Sequence, residues 1–256
     1  MNNPRATLGR NLTHSLLDVL GRTIVTGGYD DRPFPTEAVL ALEHGVSRSV
    51  TREAVKMLTA KGLLSARSGQ GTIVLPPASW NLFDPHVLGW LLERKFSMQL
   101  LRQFVELRFA IEPAAAELAA RNADAAGLEL ITSGFERMRN AERGEDESLD
   151  SDIEFHVAIL RASGNPFFAQ FRDVVSTALR TSIRVTNKLA GHGPDMNSHG
   201  AVMAAIVGRH PDRARKTMEK LLLETRAHID RYEAEMARGS SKPKKATSNR
   251  RTAATP

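Results

Sequence analysis

The sequence predicts a mainly α protein: an N-terminal winged helix-turn-helix (three helices plus a β-hairpin wing) followed by an all-α antiparallel helical bundle. Three observations predict it. Three helix-like segments, each stopped by glycine, fill the first 62 residues. Two short apolar pieces joined by a glycine-rich turn follow at once. Beyond Trp80 the apolar residues recur at helical spacing, without strand alternation.

Leu8, Leu12, Leu16, Leu17, Leu20, Ile24 and Val25 carry the first helix, and Gly27-Gly28 stops it. Pro33 and Pro35 punctuate the connection. Thr36 caps a second helix, with Val39, Leu40 and Leu42 facing inward, and Gly45 ends it. Ser47 caps a third, with Val50, Ala54, Met57 and Leu58 facing inward, and Gly62 terminates it. Leu63–Ala66 and Thr72–Leu75 form the hairpin around Arg67-Ser68-Gly69-Gln70-Gly71, and Pro76-Pro77 closes the unit. Helical patterns then cover roughly 85–95, 98–121, 124–142, 149–163, 167–188, 195–208 and 210–236. Asn165-Pro166, Gly191 to Pro194 and His210-Pro211 break them. The expected units are a winged domain over 8–76, a linker and first helix over 77–97, a helical domain over 98–236 and a disordered basic tail over 237–256.

With 256 residues, 41% of them apolar, the chain can bury two cores. The absence of cysteine excludes disulfides, thiolate metal sites and cysteine nucleophiles, and fits a reducing compartment. The first residues lack the apolar core of a signal peptide, and no run approaches the ~18 apolar residues that span a bilayer. A cytoplasmic protein without a membrane partner is expected. The net charge of +6 is unevenly placed: +3 over residues 1–78, −3 over 79–237 and +6 over 238–256. A polyanion would meet the ends of the chain.

Arg48, Arg52 and Lys56 are spaced i, i+4, i+8 on the third helix, so they form one basic stripe opposite its apolar face. Ser47, Ser49 and Thr51 add hydroxyls in its first turn. Hydroxyls and helix N-termini bind phosphate, and arginine reads guanine bidentately in the major groove. Gly69 and Gln70, at the wing tip, can lie along the backbone or minor groove. A basic stripe alone equally suits a solvated face; on the second helix of a winged helix-turn-helix it points to double-stranded DNA.

Pro35-Thr36-Glu37, Val46-Ser47-Arg48-Ser49-Val50-Thr51-Arg52-Glu53-Ala54, Leu58, Gly62-Leu63 and Gly69-Gln70-Gly71-Thr72-Ile73-Val74 resemble the N-terminal domain of GntR-family repressors. The resemblance implies that Ser47, Arg48 and Arg52 contact operator DNA, with Gly69 at the wing tip. Many members of the fatty-acid-regulator branch carry a base-reading arginine directly after the Pro-x-Glu motif. Here that position is Ala38, so one base contact is missing and the operator of that branch does not carry over.

In the helical half, Asp152 and His156 share one face of a helix, as do Arg108 and Glu112, and His199 opens a later helix. Carboxylate and imidazole suit zinc and similar divalent ions, and arginine suits a carboxylate. By spacing alone, a surface hydrogen bond and an intrahelical ion pair fit these pairs as well. Arg108-x-x-x-Glu112-Pro113, Asp152-x-x-Phe155-His156, Asn165-Pro166 and Ser198-His199 resemble the FCD ligand-binding domain, the usual partner of this winged helix in the FadR subfamily of the GntR family. The two resemblances together cover about residues 8–230. They imply that Asp152, His156 and His199 bind a divalent metal, zinc by donor type, and that metal and Arg108 hold a small organic acid.

The family's further metal-binding histidine falls at Leu221, and His228 lies two turns beyond it. Two arrangements follow: water or effector oxygens complete the metal, or His156 and His199 bond the effector directly. Trp80-Asn81-Leu82-Phe83-Asp84 and Val87-Leu88-Gly89-Trp90-Leu91-Leu92-Glu93 are similar to the linker and first helix of the galactonate-repressor type. That implies a sugar-acid effector, with Arg108 on its carboxylate and Asp152, His156, His199, Thr186 or Glu112 on its hydroxyls. Trp80 and Trp90 equally suit packing between domains.

The expected protein is a homodimeric, ligand-responsive repressor of a sugar-acid operon and not an enzyme. The alternative is a metal-dependent hydrolase with an appended DNA-binding domain, its zinc held by Asp152, His156 and His199 with a position open for water. Against that, the chain has no HExxH, P-loop or G-x-S-x-G motif, and Glu112 alone stands out as a general base.

Overall fold

A computed structural model describes residues 4–67, 69, 71–94, 98–177, 179–180 and 195–240. The winged unit forms as the punctuation predicts. Its helices are α1 (Pro4–Val25), α2 (Glu37–Glu43) and α3 (Arg48–Ala60). Thr36 caps α2, and Ser47 caps α3 by accepting from the Val50 amide. Strands β1 (Leu64–Arg67) and β2 (Gly71–Val74) pair antiparallel, with Leu64 opposite Val74 and Arg67 opposite Gly71. Leu17, Leu20, Ile24, Leu40, Ala54, Leu58, Leu63 and Leu64 close the core between them.

Three expectations about side-chain direction are corrected. In α2 only Leu40 is buried, whereas Val39 and Leu42 are exposed. A helix of two turns offers one inward edge, and Leu40 occupies it. Leu12 is also exposed, because the core begins one turn later, at Leu16. In α3 the buried stripe is Thr51, Ala54, Val55 and Leu58, while Val50 and Met57 are half-buried at its margin.

A 3-10 turn (Pro77–Ser79) leads into α4 (Pro85–Arg94). The second domain contains α5 (Met98–Asn122), α6 (Ala125–Glu142), α7 (Ser148–Ala162), α8 (Pro166–Gln170), α9 (Met196–Val207) and α10 (Pro211–Ser240). Residues 172–177 are also helical. The predicted helix over 167–188 therefore breaks at Phe171; residues 181–194 lie outside the described residues, with Thr186 among them. Helix α10 runs to Ser240, four residues into the stretch expected to be a disordered tail. Its last turns need no apolar face when a long helix below already supplies the nucleus. Residues 241–256 lie outside the described residues. Among the described residues no helix is long and apolar enough to cross a membrane.

Small residues set the packing of the bundle. Ala115, Ala116, Ala119 and Ala120 line the buried side of α5, so α7 and α10 approach it closely. Helix α4 belongs to both domains. Val87 and Trp90 complete the winged core, and Leu88 packs with Phe104 of α5 and Val174. The Trp90 indole donates to Asp18 Oδ1 at 2.7 Å, and the Trp80 indole donates to the Leu75 carbonyl at 2.9 Å. Lys61, at the end of α3, donates to Asp84 Oδ2 at 2.5 Å, and Asp84 Oδ1 caps α4 by accepting from the His86 and Val87 amides.

Gly62 makes the turn that leaves α3. Its φ is +77°, and a Cβ there would lie 2.3 Å from the Ser79 carbonyl oxygen. Gly62→Ala is therefore expected to destabilise the winged unit by about 2 kcal/mol or more, from left-handed strain plus displacement of the linker backbone. A chemical denaturation curve checks it; an unchanged midpoint would mean that the turn carries no strain.

Candidate nucleic-acid interface and buried histidine site

The exposed edge of α3 presents Ser47, Arg48, Ser49, Arg52 and Lys56. Ser47 and Ser49 hydroxyls lie 2.9 Å apart. Arg52 Nε donates to Glu37 Oε2 of α2 at 3.2 Å, which orients the guanidinium without burying it. Lys56 Nζ lies 3.9 Å from Glu53. Thr51 is not on this edge: it is fully buried, and its hydroxyl donates back to the Ser47 carbonyl. Position 51 falls on the inward stripe with 54, 55 and 58, so its expected role as a DNA-facing hydroxyl is withdrawn. Gly69 sits exposed at the wing tip with φ +76°; Gln70 lies outside the described residues.

The second cluster is buried in the bundle. Asp152 and His156 project from one face of α7, Arg108 and Glu112 from α5, and His199 from the first turn of α9. All five are buried. Arg108 grips Glu112 through two bonds, Nε to Oε1 at 2.6 Å and Nη2 to Oε2 at 3.2 Å. The same Nη2 is 3.2 Å and 3.1 Å from the two His156 ring nitrogens, so it lies over the ring and not along either lone pair.

Each imidazole is locked from behind. His156 Nδ1 is 2.7 Å from Glu112 Oε2, and His199 Nδ1 is 2.7 Å from the Asp195 carbonyl. Both oxygens accept, so both Nδ1 atoms carry hydrogen and the two Nε2 atoms point the other way. What they point at is Asp152 Oδ1, 3.4 Å from His156 Nε2 and 3.2 Å from His199 Nε2. Asp152 Oδ1 and His199 Nε2 are buried without a hydrogen-bond partner. One ligand atom from each of the three residues fits within 4.8 Å of the others. Among the described residues no fourth ligating side chain joins this cluster. Leu221, where the further histidine was expected to fall, is buried in the main core.

Burial opposes charge on Asp152, but the two facing imidazoles outweigh it and hold the carboxyl well below the usual range. Burial likewise pushes Glu112 up, and Arg108 with His156 brings it down to about 2. For His156 burial acts to lower the pKa, and the Glu112 carboxylate overcomes this, so the ring holds its proton above its ordinary value. Sequence reasoning missed Asp195, whose contribution is a backbone oxygen and leaves no residue-type signal. It also missed the bond from Ser198, the residue before His199, to Glu224 Oε2, 2.7 Å long. A surface hollow of about 420 Å³ lies elsewhere, on the opposite face of α7, lined by Leu130, Gly134, Val157 and Arg161 among others. It touches neither Arg108 nor the histidines.

Residues 103–238 match the FCD domain, and residues 22–74 match the bacterial regulatory proteins of the gntR family. The chain belongs to the GntR family. This GntR regulator is 32% identical to the galactonate operon transcriptional repressor of Escherichia coli K12 over 205 residues, 79% of this chain and 89% of that protein. It is 31% identical to the regulator YieP of the same organism, covering 83% and 93%. Lar of Listeria monocytogenes shares the fold, with a TM-score of 0.52 and 18% identity over 86% of this chain and 96% of that one. The family is one of transcriptional regulators, so the hydrolase alternative is not favoured.

The charge states give a signed pH dependence. A carboxyl depressed in the folded state stabilises above its ordinary pKa and loses that contribution as pH falls through its folded value. For Glu112 the window runs from about 4.5 down to about 2. Protein stripped with EDTA is expected to lose up to about 3 kcal/mol from this group across that range, at 1.36 kcal/mol per unit. His156 has the opposite sign: its contribution is complete below 6.5 and fades as pH rises through its raised value. Denaturation curves at pH 6 and pH 3 check the first statement; equal midpoints would refute it.

Proposed function

We propose that this GntR regulator is a homodimeric repressor of a sugar-acid operon, released from its operator when a small carboxylate docks beside a divalent metal held by Asp152, His156 and His199. The observation that carries the reading is the pair of orphaned atoms, Asp152 Oδ1 and His199 Nε2, buried 3.2 Å apart. With Nδ1 of His199 donating to the Asp195 carbonyl, its Nε2 faces the Asp152 carboxylate oxygen. A ring nitrogen and a carboxylate oxygen at that distance are satisfied together by a shared cation, either a proton or a metal ion. The donor set of one carboxylate and two imidazoles suits zinc. A bound zinc would supply a Lewis-acidic position for effector oxygens.

Charge favours an anionic effector. With both histidines in the neutral form that metal ligation requires, Asp152 and Glu112 against Arg108 leave one net negative charge among these buried groups. A divalent ion turns this into one net positive charge, which a monocarboxylate cancels. Nε and Nη2 of Arg108 are committed to Glu112, so the carboxylate is assigned to Nη1. Likeness to the galactonate operon repressor supports a polyhydroxylated acid, with Ser198, the residue before His199, and Glu224 as hydroxyl partners. Two-fold operators pair with two-fold proteins, which supports the dimer.

A thermal-shift screen of aldonic and uronic acids, with and without EDTA, tests the site. The expected result is a shift for some acids that shrinks with EDTA, because metal and effector bind one folded state cooperatively. A ligand whose shift ignores EDTA would remove the metal from the reading. Arg108→Ala alone would strand the Glu112 carboxylate in the core, so the informative variant is Arg108→Gln with Glu112→Gln. It is expected to bind DNA normally and to lose ligand-induced release.

For DNA, a duplex selected from a random-sequence pool supplies the target. Arg48→Ala and Arg52→Ala are each expected to weaken its binding by about 1–3 kcal/mol in an anisotropy titration. Undiminished binding by both variants would move the interface off α3.

A further inference from the structure

We infer that two copies of this chain associate through the outer face of the α5–α10 pair, about a two-fold axis that runs along the seam between these helices. The inference rests on the dimeric reading above and adds to it the face, the axis and the pairing of charges.

The register of the two helices comes first. Arg102 pairs with Asp230 near the start of α5, and further along α5 Glu117 pairs with Arg215. The partners are equally spaced on both helices, so α5 and α10 run antiparallel and in step. Glu106 is then level with Arg226, and Phe109 with Leu223. Phe109 is 39% exposed and Leu223 53%, with exposed Ala110 and Ala227 next to that level. An exposed apolar centre between charged ends is the make-up of an association surface.

The occupant follows from charge. At each level the two helices carry matching groups: basic with acidic at Arg102 and Asp230, acidic with basic at Glu106 and Arg226 and again at Glu117 and Arg215, and apolar with apolar at Phe109 and Leu223. A two-fold axis along the seam lays α5 of one copy on α10 of the other at the same level. The matches then recur between copies, so the face is complementary to itself. Among the described residues Glu106 and Arg226 are exposed and make no ion pair within the chain. Each finds its opposite charge on a second copy.

The direction of the axis follows from α4, which completes the winged core and ends at Arg94, just before α5 begins at Met98. The winged unit therefore sits at the end where α5 starts. An axis along the seam brings both winged units to that same end, as an operator with two half-sites requires. An axis across the helices would send them to opposite ends of the bundle. Size agrees as well. A face as long as α5, about 37 Å, and two helices wide, about 20 Å, covers about 700 Å², close to the ~800 Å² per partner of a stable interface.

Sedimentation equilibrium across a dilution series of the full chain tests the face. Glu106→Arg sets like charges against Arg226 of the second copy, and Arg226→Glu sets them against Glu106. Each variant alone is expected to dissociate about tenfold more readily, or more, than the unaltered chain. An equimolar mixture of the two is expected to recover, because a mixed pair again has opposite charges at both contacts. No role within a single chain produces recovery on mixing. Phe109→Ser with Leu223→Ser is expected to weaken association without recovery. All these side chains are exposed, so circular dichroism should not change. Variants that associate like the unaltered chain, or a mixture that fails to recover, overturn this face while leaving a dimer. An unaltered chain that stays monomeric throughout overturns the dimeric reading itself.

Discussion

A buried carboxylate oxygen that the Nε2 atoms of two imidazoles approach is the constraint around which the effector domain is arranged. Asp152, His156 and His199 come from two helices, and their mutual distances of 3.2 Å and 3.4 Å require α7 and α9 to sit at fixed depth and rotation. Alanines along α5 permit the close approach of α7. The Phe155 ring meets both histidine rings edge-on, at 5.6 Å and 5.4 Å, and blocks their rotation away from the site. Glu112 and the Asp195 carbonyl then fix which nitrogen faces inward. Burying such a cluster costs several kcal/mol unless an ion or proton offsets the charge. The site is therefore suited to sense whether its counter-charge is present.

Sensing reaches DNA only if some element belongs to both domains, and α4 is that element. Its Val87 and Trp90 are part of the winged core, and its Leu88 is part of a small cluster with α5. Gly21 of α1 shows how close the junction is: a Cβ there would fall 2.3 Å from the Trp90 ring. The Lys61–Asp84 bond joins the end of the DNA-reading helix directly to the cap of α4. The winged unit and α4 thus share one core. The change that an effector imposes then has to arise where α4 meets α5, and it is limited to the ligand's differential affinity for the two arrangements.

Much of this was legible in the sequence, for local reasons. Glycine stops and Ser or Thr caps act within a few residues, so Thr36, Ser47 and Gly62 fall where the structure places their roles. The i, i+4 spacing of Asp152 and His156 likewise survives any packing. What depended on tertiary contact was not legible. Leu42 resembles a core residue and is exposed, because two turns of helix cannot turn three positions inward. Thr51 resembles a surface hydroxyl and is buried, because the winged core draws the whole 51, 54, 58 edge of α3 inward. Arg108 was readable as a cation aimed at a ligand, but not as one already gripped by Glu112. The Asp195 carbonyl, which sets the tautomer of His199, has no signature at all, since every residue has a carbonyl.

The chain places arginines in two opposite surroundings, and the surroundings decide how each would meet an anion. Arg48 and Arg52 stand in solvent, where the Debye length is about 8 Å at physiological salt and each contact is modest and readily reversed. Such contacts suit a regulator that must find one duplex among many and then leave it. Arg108 sits in the core, 3% exposed, where salt screens little and an unpaired charge is expensive. Glu112 neutralises it, and the same carboxylate engages Nδ1 of His156, which leaves Nε2 toward Asp152. Under the proposed reading, an effector drawing on Arg108 would perturb Glu112, and through it His156, without touching the histidine. The buried ion pair gives the cluster its coupling more than its stability, which agrees with the general weakness of buried pairs as stabilising devices.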